Sequence, residues 1–290
     1  MRMKFYASKL YLLLTVVTLF GCKKQLFDNP VVPIDSAATN SPNAVVVSGP
    51  VANWYNDTTS VLLPVSDGLP INPAFKKGNT TATIVILGSS TAVGKGASQK
   101  AYSWVELLTA KLKKDKKTVR IVNLANKNYT TYHIMPTGNK VTNRPAPDVL
   151  RNVTKALSYK PFLVIVNLPT NDIAEKYTDT EILANFTKFR KAFENAKVDF
   201  IVTGTQPRNF ADSLLRQRLR ILNSKIVGGS PVRVANVLQK LSNQDYSIKK
   251  YFAYTDGVHP NDKGHAIINS HIFNTSLFKQ LLGYKTAIVP

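Results

Sequence analysis

The chain has one cysteine, Cys22, in 290 residues, so no intramolecular disulfide can form. Acidic residues are scarce: 17 Asp and Glu stand against 38 Lys and Arg, a formal net charge of +21. That excess favours anionic surroundings such as phospholipid head groups, lipopolysaccharide or acidic glycans. Nucleic acid is the other usual partner of a basic chain, but no nucleic-acid-binding motif is present. No internal repeat is visible. The apolar run that opens the chain, Leu10 to Phe20, is too short to span a membrane. With 44% hydrophobic residues the chain can still bury a substantial core, which excludes a fibrous or wholly disordered protein.

Arg2, Lys4 and Lys9 precede that apolar run, which ends in Leu19-Phe20-Gly21-Cys22. This is the pattern of a signal peptide over residues 1–21. The Leu-x-Gly-Cys order resembles a bacterial lipobox, and the resemblance implies cleavage before Cys22 and acylation of its thiol. An ordinary leader with an incidental cysteine is the other reading. On the lipobox reading the mature chain is an exported lipoprotein, periplasmic or at the cell surface, held to a membrane by its lipid. Export also argues against nucleic acid as a partner. Residues 22–77 are rich in Pro, Asn, Ser and Thr, with short apolar runs at Val45 to Val47 and Val61 to Leu63. They are expected to be a tether that packs back on the domain as a strand or two.

From residue 78 to 290 the pattern is regular. Apolar runs of strand length occur at Ala82 to Leu87, Val119 to Leu124, Phe162 to Leu168, Phe200 to Gly204 and Val232 to Val237. Their near-continuous apolar character suits a parallel sheet buried on both faces. Between them the spacing predicts helices over Tyr102 to Lys113, Thr178 to Ala196 and Ala211 to Ile226, with a long last helix from about Asp262 to Leu282. In the second, Thr178 and Glu181 form a capping-box pattern, and Ile182, Phe186, Phe189 and Phe193 share one face. The basic run Lys113 to Lys117, between a helix and a strand, reads as a solvated helix end. Alternating strands and helices predict an α/β fold, a three-layer α/β/α sandwich with a mainly parallel sheet of about five strands. Ligands of such sheets bind outside the carboxyl ends of the strands.

Three segments at such positions carry chemistry. Gly88-Ser89-Ser90-Thr91 follows the first strand and would lift the Ser90 hydroxyl out at the sheet edge. A flexible loop or a phosphate cradle is the other reading of that turn, although Lys95 lacks the Gly-Lys-Ser/Thr context of a phosphate loop. Asp256-Gly257-Val258-His259-Pro260 precedes the last helix. A neutral His259 can take a serine proton, and an aspartate three residues earlier can accept its other ring N–H. Metal ligation is the rival, but His265 and His271 are spaced six apart on different sides of a helix, so they suit solvent or core roles. Pro169-Thr170-Asn171-Asp172 follows the third strand. The Asn171 amide there can donate to an oxyanion, though Asn-Asp also suits a plain turn.

In this order and context the three segments resemble the SGNH, or GDSL-like, serine hydrolases, over about residues 80–285. The resemblance implies a flavodoxin-like sheet, no metal or cofactor, and a catalytic set of Ser90, His259 and Asp256. It implies an oxyanion hole from the Ser90 N–H and Asn171, with serine at position 89 where the family's first block most often has aspartate. The family's second block departs: a glycine expected after strand two falls at Lys127 or Asn128. Asn128 can stand in, because asparagine enters the left-handed region more readily than other non-glycine residues. The implied reaction is ester hydrolysis, on an acylated glycan or small ester in the setting of an exported lipoprotein. A lipid esterase or lysophospholipase, and a catalytically silent surface protein that binds anionic glycans, are the alternatives. The loops Thr130 to Gly138 and Gln206 to Asn209 are mixed polar and aromatic, as a sugar site would be. Thr131, Tyr132 and Arg208 are therefore candidate substrate contacts, with a structural salt bridge the other role for Arg208.

Overall fold

A computed structural model describes residues 82–229 and 231–284. The leader, Cys22 and the tether lie outside the described residues. β1 (Ala82–Gly88), β2 (Val119–Asn123), β3 (Leu163–Asn167) and β4 (Asp199–Val202) form an all-parallel sheet in the order β2-β1-β3-β4. The central strand β1 reads Ala-Thr-Ile-Val-Ile-Leu-Gly and is buried along nearly all its length because its residues alternate between two cores. Ile84 and Ile86 face one core and Val85 and Leu87 the other.

The connections supply the two outer layers. After β1 come α1 (Ser90–Val93) and α2 (Trp104–Lys114), and after β2 comes α3 (Val153–Ser158). After β3 come α4 (Thr170–Ala174) and α5 (Asp179–Asn195), and after β4 come α6 (Ser213–Gly229) and α7 (Leu238–Leu241). The chain then closes with α8 (Asp262–Asn274) and α9 (Ser276–Leu281). α3, α5 and α6 pack on the Val85 face through Val153, Ile182, Phe189, Phe193, Leu219 and Leu222. α2, α8 and α9 cover the Ile84 face through Trp104, Leu108, Ile268, Ile272 and Phe278. This is the expected three-layer sandwich. Each fully buried side chain of this size contributes about 1.5–3 kcal/mol to the core. The Thr178–Glu181 capping box starts α5 as its sequence predicts.

Two expectations need correction. The fifth strand, Val232 to Val237, shrinks to one parallel bridge between Val202 and Val234, with the Ala235 N–H on the Val202 carbonyl at 2.8 Å. A 3-10 turn over Pro231–Arg233 and the start of α7 leave too few extended residues for a ladder. That turn sends Arg233 inward to Asp199 at 2.9 Å, with both side chains buried. The long last helix is two, because Thr275 turns extended and its hydroxyl caps α9 by accepting the Phe278 N–H at 3.3 Å.

Candidate active site

β1 ends in Gly88, whose register partner is Asn167 at the end of β3. A Cβ on Gly88 would lie 2.8 Å from that of Ala92, so glycine lets α1 fold back tightly on the strand. Ser89 stands at the N-terminal boundary of this short helix without a side-chain cap bond, and Ser90 is its first residue. The Ser90 N–H consequently has no acceptor within the helix, and the Ser90 side chain sits at the carboxyl edge of the sheet, only partly buried.

The 253–260 segment brings His259 to it. Ser90 Oγ lies 2.7 Å from His259 Nε2, and His259 Nδ1 lies 2.7 Å from Asp256 Oδ2. The other Asp256 oxygen accepts the backbone N–H groups of Val258 at 2.9 Å and His259 at 3.0 Å. Partial burial acts to raise the Asp256 pKa, but these two N–H bonds and the imidazole together hold it below the ordinary carboxylate value. With Nδ1–H given to the carboxylate, Nε2 keeps a lone pair facing the serine proton. The loop after α1 closes behind the pair. Gly96 has φ +95°, and a Cβ there would meet the Pro260 carbonyl at 2.2 Å and His259 Cβ at 3.0 Å. His265, buried behind it, accepts the Trp104 N–H and donates to the Lys95 carbonyl, and burial lowers its pKa to about 4. It is a neutral core residue.

Asn171, in α4, reaches the same place. Its Nδ2 donates to Ser89 Oγ at 2.7 Å and to the Tyr129 carbonyl at 3.1 Å. Ser90, His259 and Asn171 line a cavity of about 20 Å³ together with Ser89, Thr91, Asn167, Thr170, Gly204 and Gln206. Asn167 and Thr170 escape a reading of the sequence, although both stand at the carboxyl end of β3. Asn167 Nδ2 donates to Thr203 at 2.8 Å, while its Oδ1 has no partner among the described residues.

The second-block residues are placed differently. Asn128 has φ +62°, the left-handed conformation expected of a glycine replacement, but it is exposed and is not among the residues lining the cavity. Thr131 and Tyr132, expected as substrate contacts, are 0% and 3% exposed. Thr131 gives its N–H and hydroxyl to Asp172, and Tyr132 gives its hydroxyl to Glu181 at 3.1 Å. Their polar groups are committed inward, so they brace the loop and do not face a ligand. Asp172 is fully buried, and desolvation raises its pKa to about 7 despite the Thr131 hydrogen bonds. Arg208 is half-buried at the site's rim, with Nη1 3.5 Å from Asn171 Oδ1. Among the described residues no group of three or more His, Cys, Asp or Glu could hold a metal.

A model of the GDSL-like lipase/acylhydrolase family matches residues 86–267. Among solved structures, the chain is similar to a psychrotrophic esterase from Pseudoalteromonas sp. in a monoethylphosphonate-inhibited form, at 19% identity over 69% of this chain and 98% of that one, with TM-score 0.52. A GDSL-like lipase from Bacteroides thetaiotaomicron gives 19% identity, 69% and 89% coverage and TM-score 0.52. A lipase from a goat rumen metagenome gives 16%, 68%, 98% and 0.53. At these identities the likeness to solved structures is one of fold. No curated protein sequence matches the chain.

Proposed function

The chain belongs to the GDSL-like lipase/acylhydrolase family, and from that premise we propose that it is an exported serine esterase removing short acyl groups, acetyl above all, from a glycan. The observation that carries this reading is the unbroken chain of 2.7 Å contacts from Ser90 through His259 to Asp256 at the mouth of a cavity. Ser90 Oγ attacks the ester carbonyl as its proton passes to His259 Nε2, and Asp256 stabilises the imidazolium that results. The tetrahedral oxyanion meets the Ser90 N–H and the Asn171 amide, whose Nδ2 turns to it from Ser89. A donor of this kind contributes about 3 kcal/mol to the transition state. His259 returns the proton to the leaving alcohol, and water then attacks the acyl-serine by the same route.

The loops at the catalytic edge support a small acyl group, since a long chain needs a continuous apolar groove and neither Thr130 to Gly138 nor Gln206 to Asn209 supplies one. The lipobox-like leader supports anchoring through Cys22 to a membrane outside the cytoplasm. Hydrolysis of acetyl, butyryl and octanoyl p-nitrophenyl esters by the full-length chain tests the reading, with acetyl expected fastest. Faster turnover of octanoyl than of acetyl esters replaces it with a lipid esterase. No turnover of any of them favours a silent glycan-binding protein.

A further inference from the structure

Five arginines of the described residues meet a carboxylate: Arg144 with Glu181, Arg190 with Glu194, Arg216 with Asp245, Arg218 with Asp179 and Arg233 with Asp199. Arg120, Arg151, Arg208 and Arg220 form no ion pair among the described residues, and of these four Arg208 is the one that touches a residue lining the cavity, Asn171. Its contacts are the Asn171 amide oxygen at 3.5 Å and the face of Phe210, 4.9 Å from the ring centroid. Burial works against its charge, and the pull of Asp256 and Glu175 comes from beyond ion-pair distance. Asp256 is in any case committed to His259 and Val258.

The loop that carries Arg208 is pinned on both sides. Gln206 N–H donates to Thr170 Oγ1 at 2.9 Å, Asn209 N–H to the Gly257 carbonyl at 2.9 Å, and Ile248 N–H to Asn209 Oδ1 at 2.9 Å. The guanidinium is thus held beside the catalytic edge, one side chain removed from the serine turn, with no carboxylate at ion-pair distance among the described residues. A planar fork of N–H donors in a partly desolvated place matches a carboxylate. The net charge, +18 once Arg2, Lys4 and Lys9 leave with the leader, would draw a polyanion toward it.

We propose that Arg208 is the anion subsite of this esterase, and that the ester it cleaves sits on a carboxylate-bearing sugar of an acidic glycan. The inference rests on the esterase reading and adds the substrate class. The guanidinium binds the sugar carboxylate and so sets the acyl oxygen before Ser90. A neutral sugar ester gains nothing from it.

The test compares kcat/KM of the full-length protein for an O-acetylated methyl glucuronoside and the matching O-acetylated methyl glucoside, with p-nitrophenyl acetate as a reference ester. Wild type should prefer the uronoside by on the order of tenfold or more. Arg208→Ala should collapse that ratio toward one, Arg208→Lys should keep part of it, and added salt should shrink it. Equal rates of wild type on the two sugars overturn the proposal. So does a fall of both rates alike in Arg208→Ala, which would make Arg208 a positioning residue for Asn171. A preference for acetylated anionic phospholipid over both sugars overturns the glycan assignment. If p-nitrophenyl acetate is cleaved, any such failure belongs to the subsite alone. If no ester is cleaved, the esterase reading falls and takes the subsite with it.

Discussion

Two histidines of this chain each contact a residue three positions earlier, and only one of them is equipped as a base. In the 253–260 segment, the partner of His259 Nδ1 is the Asp256 carboxylate, an acceptor, so the ring proton sits on Nδ1 and Nε2 is free to receive the serine proton. In the loop after β2, the partner of His133 Nδ1 is the Thr130 backbone N–H at 3.1 Å, a donor. That fixes the opposite tautomer. The His133 ring is stacked on Tyr129 with centroids 4.6 Å apart, and burial lowers its pKa. The contrast extends to their neighbours: His259 lines the cavity, while the loop after β2 turns Thr131 and Tyr132 inward to Asp172 and Glu181. Residue type and spacing do not decide a role; the hydrogen-bonding sense of the partner does.

The sharpest way to break this comparison is to remove each histidine in turn, and with them the serine that His259 faces. Ser90→Ala and His259→Ala should each lower kcat by about 10⁴- to 10⁶-fold with the fold intact, while His133→Ala leaves the folded protein turning over at wild-type order. Equal losses at the two histidines in a steady-state assay would erase the distinction. Asp256→Asn should come next, at about 10³- to 10⁴-fold, because an amide can donate to Nδ1 and impose on His259 the tautomer that His133 has. A change confined to KM would assign Asp256 to binding.

The inward-turned loop is tested by pH. Asp172 has a folded pKa of about 7 against an ordinary 3.8. Between those values the folded protein holds a proton that the unfolded chain has released, so the stability this group confers is complete below about pH 3.8 and is lost as pH rises through 7. Asp172→Asn cannot titrate. Its melting temperature relative to wild type should therefore climb from pH 4 to pH 7.5, and parallel curves would show that Asp172 is ionised in the fold. The smallest effect is expected at Asn128. Asn128→Gly relieves a left-handed φ but adds freedom to the unfolded chain, so stability should change by no more than about 0.5 kcal/mol. A large loss of activity would mean that the Asn128 side chain itself takes part.

The layers were legible in the sequence because β1, β3 and β4 are buried on both faces and are apolar over most of their length. The fifth strand was not legible because Val232 to Val237 is mostly apolar too, while the 3-10 turn over Pro231–Arg233, whose Arg233 pairs with Asp199, takes up its start. Thr275, a good capping residue, marked the break in the last helix, but the apolar spacing runs straight across it. Ser90, Asn171, Asp256 and His259 could be read as candidates because each stands at the end of an element on the edge where such sheets bind ligands. The direction of Thr131 and Tyr132 could not, since Asp172 and Glu181, some forty to fifty residues away in sequence, fix it. Arg208 could be read as a candidate but not as an arginine without a carboxylate, which depends on where every acidic side chain lies.

The most direct measurement of the central claim is covalent labelling by a fluorophosphonate, followed by peptide mass spectrometry of wild type and His259→Ala at equal concentration. Activation of Ser90 by His259 predicts a single phosphonyl adduct on Ser90 in wild type and its loss in the variant. An adduct on Ser89 or another serine, or equal labelling of Ser90 without His259, would contradict it.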